Sequence, residues 1–196
     1  MLPIVPVLDL GNVVVHVNFT PFCEWIVEHS PAKDIEHVQL FLKSSLFYDY
    51  EFGNISSDEF IDRMGKLFGA RFDEKKFSEK FCAIFPSYIE GMPELLTELS
   101  ERGIYCLSNT NELHLNHCME QFPELRLFKQ IFASHQIHKR KPYPGTYREV
   151  AKLLDIAPQS LVYFDDITVN VDGARRAGLQ AHLFENVAQI RSLVIQ

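Results

Sequence analysis

Short apolar runs alternate with amphipathic segments along the second half of the chain. The runs at residues 104–107, 130–133, 161–164 and 181–184 are typical of buried strands. Between them, several segments repeat apolar residues every three or four positions, as on one face of a helix. One further apolar run, Val5–Leu8, lies near the amino terminus. Strand–helix repetition of this kind predicts a parallel sheet with helices on both faces.

A different pattern separates the first strand from this repeat. Residues 15–89 show helical spacing throughout and contain no strand-like run. We therefore expect an α/β fold in which residues 1–14 and 90–196 form a Rossmann-like parallel sheet core. Residues 15–89 would be inserted into this core as a helical cap over the carboxyl edge of the sheet.

One helix of this cap is marked at both ends. Ser56-x-x-Glu59 has the form of a capping box, in which side chain and backbone satisfy each other at a helix start. Gly69 then ends the helix. Its predicted apolar face consists of Phe60, Met64, Leu67 and Phe68.

The composition is that of one well-packed domain, or of a domain with a sizeable insertion. Of the 196 residues, 46% are hydrophobic and 12% are aromatic, which is enough for a full core and does not indicate disorder. The net charge is -7, from 26 acidic and 19 basic residues. An acidic chain of this kind is unsuited to nucleic acid or an anionic membrane, and we expect neither as a partner.

The chain ends and the cysteines bear on the compartment. Residues 1–5 lack the basic stretch and the long apolar core of a signal peptide, and no apolar run approaches the roughly 18 residues that span a bilayer. The four cysteines lie far apart in the sequence, which is typical of free thiols in a reducing compartment. We therefore expect a cytoplasmic protein; its oligomeric state stays open, and a monomer is compatible with the sequence.

Carboxylates follow two of the predicted strands. Asp9 comes directly after the first strand, and Asp165-Asp166 follows the run at 161–164. In open α/β sheets, ligands bind at the carboxyl ends of the strands. Clustered carboxylates and backbone carbonyls are the hard oxygen ligands that Mg²⁺ prefers, although acids before a helix could also simply favour its dipole.

Two other strand ends carry polar residues of less specific character. Ser108-Asn109 follows the run at 104–107 and could equally be a helix cap. Lys141 lies beyond the run at 130–133, where it could be part of a solvated turn.

Together, the four strand ends are best explained by a phosphoryl-transfer site. Asp9 would attack phosphorus as a nucleophile, because an aspartate can carry a phosphoryl group. Mg²⁺ held by Asp9, the Gly11 carbonyl and Asp166 would neutralise the phosphate oxygens. Lys141 would pair with the nucleophile and the phosphate, and the Ser108 hydroxyl would hold another oxygen.

With these residues at its strand ends, the chain resembles the haloacid dehalogenase-like hydrolases that carry a helical cap. The resemblance covers essentially the whole chain and rests on four motifs in order: Val7-Leu8-Asp9-Leu10-Gly11-Asn12-Val13, Cys106-Leu107-Ser108-Asn109-Thr110-Asn111, Lys141-Pro142-x-x-x-x-Tyr147 and Tyr163-Phe164-Asp165-Asp166-x-x-x-Asn170. The first two are similar to those of bacterial sugar phosphatases of the α-D-glucose-1-phosphatase type.

The resemblance implies a Mg²⁺-dependent phosphatase that acts on small phosphorylated metabolites, such as sugar phosphates, through an aspartyl-phosphate. It makes Asp9, Lys141 and Ser108 catalytic. The metal ligands would be Asp9, Gly11 and Asp166, with Asp165 in a supporting or water-mediated role. Asn109, Gly11 and Asn12 would contact the substrate.

Gly11 departs from the family pattern, because most of the family's phosphatases have an Asp at this position as general acid and base. Gly11 keeps the carbonyl for the metal but supplies no proton-transfer group, which is typically worth 10²–10⁴-fold in rate. A good leaving group, such as that of a sugar 1-phosphate, would relax this need. His16, Asn12 and His114 are the candidate replacements, although a packed or solvated role is the more common one for such histidines.

The cap segment Phe47-Tyr48-Asp49-Tyr50-Glu51-Phe52-Gly53 combines aromatics and acids. Such a segment suits the apolar face and the hydroxyls of a sugar, with Glu51 as the substrate-binding candidate. Alternatively, the aromatics belong to the core of the cap and the acids are solvated.

Two other functions compete with the phosphatase. The loss of the acid/base at Gly11 could have left a non-catalytic protein that binds a phosphorylated ligand or regulates a partner. A dehalogenase is disfavoured, since that chemistry needs no metal and Asp165-Asp166 would then have no purpose.

Overall fold

A five-stranded parallel sheet forms the centre of the molecule in the computed structural model, which describes residues 4–195. Residues 1–3 belong to the segment that lacks the features of a signal peptide, and they lie outside the described residues. The strand order is β3-β2-β1-β4-β5, with β1 Val5–Leu8, β2 Tyr105–Ser108, β3 Gln130–Ala133, β4 Leu161–Asp165 and β5 Gln180–Leu183. This confirms the predicted α/β parallel sheet.

The strand register brings the chemically important residues to one edge. Leu8, the last residue of β1, is aligned with Cys106 in β2 and with Phe164 in β4. Asp9 donates its backbone N–H to the Phe164 carbonyl at 2.9 Å, so it lies beside the end of β4. Both neighbours of β1 therefore deliver their carboxyl ends next to Asp9.

Helices cover both faces of the sheet, because successive strand side chains point to opposite sides. Leu8 packs on one face with the helices Met92–Ser100 and Val187–Val194, and Val7 packs on the other with Pro144–Leu154 and Thr168–Ala177. The helices of the chain are α1 Thr20–His29, α2 Ile35–Gln39, α3 Ser45–Glu51, α4 Ser57–Phe68, α5 Glu74–Cys82, α6 Met92–Ser100, α7 Glu112–Gln121, α8 Ser134–Ile137, α9 Pro144–Leu154, α10 Thr168–Ala177 and α11 Val187–Val194. Short 3₁₀ turns occupy Leu40–Lys43, Pro123–Leu127 and Pro158–Ser160.

Helices α1 to α5 share an apolar cluster of their own, distinct from the two clusters on the sheet. It is rich in aromatic side chains, among them Phe22, Phe60, Phe77 and Phe81, whose rings meet mostly edge to face. This separate cluster is consistent with the cap, whose boundaries at residues 15 and 89 stay a prediction.

Helix α4 follows its sequence signals closely. The Ser56 hydroxyl accepts from the Glu59 backbone N–H at 3.2 Å, and Gly69 ends the helix in the left-handed region at φ 64°. The inclusion of Leu67 in its apolar face was wrong, because this residue is 54% exposed. The other three residues of the predicted face, Phe60, Met64 and Phe68, are buried.

The expectation that residues 15–89 are helical throughout was also wrong at its start. Residues 16–19 are irregular, and Val15 makes isolated bridges to Gly11 and to Tyr88. The chain thus leaves the sheet in an extended linker whose backbone bonds are made with the returning chain, as in the 2.9 Å bond from His16 to the Ser87 carbonyl.

None of the described helices is long and apolar enough to cross a membrane. All four cysteines are buried and unpaired with each other, as their wide spacing predicts: Cys23, Cys82, Cys106 and Cys118.

Candidate active site

Asp9 is buried at the centre of the sheet edge, with 6% of its surface exposed. Its Oδ1 accepts from the Leu10 backbone N–H at 2.7 Å and lies 2.7 Å from Lys141 Nζ. Oδ2 has no hydrogen-bond partner among residues 4–195, and the side chain lines a cavity. One oxygen is therefore held in place while the other faces the space in which a substrate could lie.

Lys141 bridges two carboxylates rather than lying in a solvated turn. Its Nζ lies 2.7 Å from Asp9 Oδ1 and donates to Asp165 Oδ2, also at 2.7 Å, and the residue is 3% exposed. The Asn109 side chain fixes its backbone, because Asn109 Oδ1 accepts from the Lys141 N–H and Nδ2 donates to its carbonyl. Asn109 thus ties the end of β2 to the loop that holds Lys141 and does not cap a helix.

Asp165 is fully buried and saturated with hydrogen bonds. Besides Lys141, its oxygens accept from the Tyr163 hydroxyl, the Asn170 amide and the Ile167 backbone N–H. A carboxylate with this many donors is a rigid anchor for Lys141. Its supporting role toward a metal stays a prediction.

Asp166 presents a more accessible carboxylate at the same edge. Its Oδ2 accepts from Asn12 Nδ2 at 3.2 Å, and Oδ1 has no side-chain donor among the described residues. Asn12 adopts a left-handed backbone conformation with φ 55°, and its Oδ1 accepts from the Val17 N–H at 3.0 Å. Asn12 therefore connects Asp166 to the extended linker that leads into the cap.

Burial dominates the ionisation of this cluster. It raises the pKa of Asp9 to about 8, with Lys141 opposing and Asp165 adding to the shift. Burial also raises the pKa of Asp166. For Asp165 the burial penalty is outweighed by Lys141, Tyr163 and Asn170, which lower its pKa. Burial alone would lower the pKa of Lys141, but the charges of Asp9 and Asp165 outweigh burial, and the pKa is raised.

The cluster fits a divalent cation. Asp9, Asp165 and Asp166 each offer a carboxylate oxygen, and these oxygens lie within 4.8 Å of one another. Lys141 is the only cation that forms ion pairs with these three acidic groups among residues 4–195, so a charge of 2+ would bring the ionised cluster to neutrality. The Gly11 carbonyl accepts no hydrogen bond within the part of the chain that the structure describes, which leaves it available as a further hard oxygen ligand.

Two connected cavities open from this edge. The first, here called the carboxylate cavity, has a volume of about 240 Å³ and is lined by Asp9, Asn12, Lys141, Asp166 and others. The second, here called the aromatic cavity, has a volume of about 110 Å³, and its wall includes Leu10, Val17, Phe19, Phe47, Ile84 and Phe85. Gly11, Glu51 and Ser108 line both cavities and so lie where the two meet.

Glu51 is buried against Arg140 rather than solvated. The two side chains form an ion pair, and the Arg140 guanidinium also lies 4.3 Å from the ring centre of Tyr48. Burial raises the pKa of Glu51 even though Arg140 opposes this shift. The pair joins α3 of the cap to the loop after β3.

Arg140 is a site residue that the sequence did not reveal. It lines the carboxylate cavity, and its buried Nε has no hydrogen-bond partner among residues 4–195. The only sequence signals were its position directly before Lys141 and its place in the short basic run at 138–141.

The histidines considered as acid/base replacements differ sharply. Both ring nitrogens of His114 are engaged, with Asn111 Nδ2 at 3.0 Å and with the Phe81 carbonyl at 3.1 Å. Burial lowers the pKa of His114 to about 3, so this ring is neutral and has no free proton-transfer position. His16 is exposed and lines a separate surface groove beside Asn12 and Asp166.

Comparisons with known proteins agree with this geometry. A crystal structure of a haloacid dehalogenase family enzyme of Bacteroides thetaiotaomicron, in complex with magnesium and inorganic phosphate, superimposes with a TM-score of 0.85. It is 21% identical, and the match covers 94% of this chain and 95% of that one. The likeness establishes the fold.

Curated relatives point to phosphatases. A D-ribitol-5-phosphate phosphatase of Bacteroides thetaiotaomicron is 22% identical over 94% of this chain and 93% of its own length. A sesquiterpene phosphatase of Aspergillus oryzae is 28% identical over 96% of this chain and 95% of its own. A phosphatase of Mycobacterium tuberculosis is 30% identical over 78% of this chain and 64% of its own.

The family model described as haloacid dehalogenase-like hydrolase matches residues 43–184, which include most of the cap and all of the sheet except β1. Together with the carboxylate–lysine edge, this match shows that the chain belongs to the haloacid dehalogenase-like hydrolases.

Proposed function

We propose that this protein is a Mg²⁺-dependent phosphatase of small phosphorylated metabolites that works through an aspartyl-phosphate. The observation that carries the proposal is the geometry of Asp9. One of its oxygens is fixed by Lys141 and the Leu10 N–H, and the other faces the carboxylate cavity. The magnesium and phosphate in the Bacteroides thetaiotaomicron structure support the same reading of this edge.

In the first step, Asp9 Oδ2 attacks phosphorus, and the bond between phosphorus and the leaving oxygen breaks with its electron pair on that oxygen. Lys141 lowers the pKa of Asp9 against the burial that raises it, which favours the ionised nucleophile, and it offers positive charge to the incoming phosphoryl oxygens. Ser108, which is buried and lines both cavities, is placed to donate its hydroxyl to another oxygen.

Asp9, Asp166 and the Gly11 carbonyl would hold the metal ion. When bound there, Mg²⁺ supplies positive charge that offsets the charge of the phosphoryl oxygens. Asp165 keeps Lys141 in place, since its own oxygens are already taken by protein donors.

In the second step, water attacks the aspartyl-phosphate, which returns the Asp9 carboxylate and releases phosphate. Gly11 offers no base for this water, and His114 cannot replace one because both of its nitrogens are engaged. We expect the second step to be slow and the aspartyl-phosphate to accumulate whenever the leaving group is acidic enough to depart unaided.

Rapid-quench kinetics tests this mechanism. The protein with Mg²⁺ should release a burst of product from phenyl phosphate, followed by slower steady turnover. Esters with different acidic leaving groups should share one steady rate because they share the second step. No phosphate release from any ester, with Mg²⁺ present, would instead favour the non-catalytic binding protein of the same fold.

A Gly11→Asp variant tests the role of the missing group. A Cβ at this position would lie 3.0 Å from Val17 Cγ2, so Val17 must shift by a few tenths of an ångström. Gly11→Asp combined with Val17→Ala removes this contact. We expect the double variant to gain part of the roughly 10²–10⁴-fold attributed to acid–base catalysis and to lose its burst. Val17→Ala alone is the matched control.

The relatives leave the substrate open. One is named for the phosphate of a polyol and another for the phosphate of a sesquiterpene, which differ greatly in polarity. Sugar phosphates, as the motifs suggest, are one class within this range. The walls of the cavities are therefore the best guide to the leaving group.

A further inference from the structure

The aromatic cavity is where a leaving group would lie if the phosphoryl group occupied the carboxylate cavity. The two cavities share Gly11, Val17, Phe47, Glu51 and Ser108 in their walls. Gly11 lines both cavities just after β1, and it places no side chain at this junction. An ester bound over Asp9 could extend its organic part past Gly11 into the second cavity.

The inner wall of that cavity is apolar and aromatic. Phe19 and Phe47 meet edge to face at 6.2 Å, and Phe85 lies 5.1 Å from the His114 ring at nearly a right angle. His114 itself is neutral, as its pKa of about 3 requires. Leu10 and Ile84 complete the apolar lining.

Two of the five polar residues in this wall are committed to the protein. The nitrogens of His114 bond to Asn111 and to the Phe81 carbonyl, and the Asn109 amide holds the Lys141 backbone. A polyol chain would therefore place several hydroxyl groups against apolar side chains, with only Glu51, Ser108 and Thr110 as further polar groups among the described residues of the wall. Burying a hydroxyl without a hydrogen bond is unfavourable.

The size of the cavity suits a single ring. A cavity of 150 Å³ lined by Leu, Ile and Phe binds benzene in an engineered lysozyme. The aromatic cavity, at about 110 Å³, is slightly smaller, but it opens into the carboxylate cavity rather than being closed. A ring attached to the phosphate oxygen could thus lie with its edge at the junction.

The absence of an acid at Gly11 points to the same chemistry independently. A phenol has a pKa near 10, as in the tyrosine side chain, whereas water has one of 15.7 and alkyl alcohols resemble water. A phenoxide can leave without a proton from the protein, but an alkoxide cannot leave at a useful rate. The site thus lacks the group that only alkyl esters need.

We propose that the preferred substrates are aryl phosphate monoesters, with the ring in the aromatic cavity; this rests on the proposed phosphatase function. Asp9 takes the phosphoryl group as the phosphorus–oxygen bond to the ring breaks, and the electron pair stays on the phenoxide. Water then hydrolyses the aspartyl-phosphate; one of its protons goes to the phenoxide and the other remains on the phosphate. The net products are a phenol and inorganic phosphate.

Binding of phosphonates tests the cavity without turnover. In Mg²⁺ buffer, calorimetry should show phenylphosphonate binding about 10–100-fold more tightly than methylphosphonate, because the ring is buried against apolar side chains. Equal affinities would overturn the proposal even if the protein is an active phosphatase.

A matched pair of variants locates the effect. Val17→Thr keeps the shape of the side chain but adds a hydroxyl to a wall that both cavities share, and should weaken phenylphosphonate several-fold more than methylphosphonate. Val27→Thr makes the same change in α1, at a position that lines neither cavity. An equal loss in both variants, or none in Val17→Thr, would contradict binding of the ring in the aromatic cavity.

Turnover of three esters completes the test. The kcat for phenyl phosphate should exceed that for cyclohexyl phosphate, since the two esters differ mainly in leaving-group basicity. Both esters should have a lower KM than ribitol 5-phosphate. A ribitol ester with the lowest KM would overturn the aryl preference and leave the phosphatase intact. Absence of phosphate release from all three would overturn the phosphatase, whereas the phosphonate measurement would still report on the cavity.

Discussion

The two walls of the site are built in different ways. At the sheet edge, each charged group has several fixed partners, as Asp165 does with Lys141, Tyr163 and Asn170. On the cap side, the aromatic cavity is formed by apolar side chains that contact one another and leave space between them. In the proposed mechanism, the first wall would act on the phosphoryl group and the second would contact the organic part of the substrate.

This difference matters because the two walls tolerate change differently. Buried charges in a connected network depend on one another, so the loss of one leaves the others unpaired. Apolar walls can be altered in shape with smaller consequences for the fold. Substitutions at the sheet edge should therefore have large effects, and those on the cap side should have graded ones.

The largest effect is expected from Asp9→Asn. The variant keeps the size of the side chain but removes the nucleophile, and phosphate release should fall at least about 10⁴-fold, as for other nucleophile deletions. Circular dichroism should show an unchanged fold. Asp172→Asn, in an exposed ion pair on α10, is the matched control and should keep full activity. Residual turnover in Asp9→Asn above that limit would rule out the covalent mechanism.

The next effect sharpens the contrast between buried and exposed ion pairs. Arg140→Leu leaves Glu51 buried without its partner and should lower the free energy of unfolding by about 3–5 kcal/mol. Arg191→Leu breaks the exposed pair with Glu98 and should lower the free energy of unfolding far less, because solvent screens this pair. Urea denaturation measures both.

A second substitution tests the origin of that cost. Adding Glu51→Leu to Arg140→Leu should restore much of the stability, since an apolar pair can replace a buried ion pair. If the double variant is less stable than the single one, the pair contributes in some way other than charge compensation.

The sheet edge could be predicted from the sequence because its signals are local. Buried strands are short apolar runs, and the residue after each run must lie at the carboxyl edge of a parallel sheet. Asp9 and Asp166 needed only this rule to be brought together, whereas Lys141 lies beyond α8 and its backbone is held there by Asn109. The capping of α4 by Ser56 and its end at Gly69 were local in the same sense.

The cap side could not be predicted in this way because its walls come from distant parts of the chain. Phe19 lies in the linker, Phe47 in α3, and Ile84 and Phe85 follow α5. Helical periodicity shows that such residues are apolar but not which cavity they line. The same limit explains Leu67, which has the spacing of a buried residue yet lies at the exposed edge of its helix.

Arg140 shows a further limit of sequence reasoning. A basic residue beside Lys141 has the pattern of a solvated run. Its burial depends on Glu51 and Tyr48, which are about ninety positions away and belong to the cap. Likewise, Glu51 could be proposed as a binding residue, but its partner could not be named before the two parts were folded together.

A smaller effect separates the two acids that follow β4. Asp166→Asn should weaken Mg²⁺ binding by about 10²-fold, because even groups outside the ligand sphere are worth 10–100-fold. Asp165→Asn should change Mg²⁺ affinity less but lower the melting temperature more, since it removes the anchor of Lys141. Calorimetry and thermal denaturation report the two quantities, and the reverse order of Mg²⁺ affinities would exchange the roles of the two residues.

The smallest effect concerns the neutral histidine of the aromatic cavity and its pH dependence. The pKa of His114 is lowered from 6.5 to about 3 by burial, so the unfolded chain binds a proton between these values that the folded protein does not. Protonation therefore favours unfolding. The stability that His114 contributes is complete above pH 6.5 and falls as the pH drops toward 3, by at most about 1.4 kcal/mol per pH unit.

Replacing the His114 ring separates its contribution to the pH dependence of stability from that of the many carboxylates that titrate at the same pH. His114→Gln keeps an amide that can donate to the Phe81 carbonyl but cannot take up a proton in this range. The difference in unfolding free energy between wild type and His114→Gln should therefore shrink as the pH falls from 6.5 to 4.5. The exposed His16→Gln serves as the control for a His-to-Gln change outside the aromatic cavity. Parallel pH profiles for wild type and His114→Gln would mean that the ring is protonated in the folded state, and the wall of the aromatic cavity would then be charged rather than apolar.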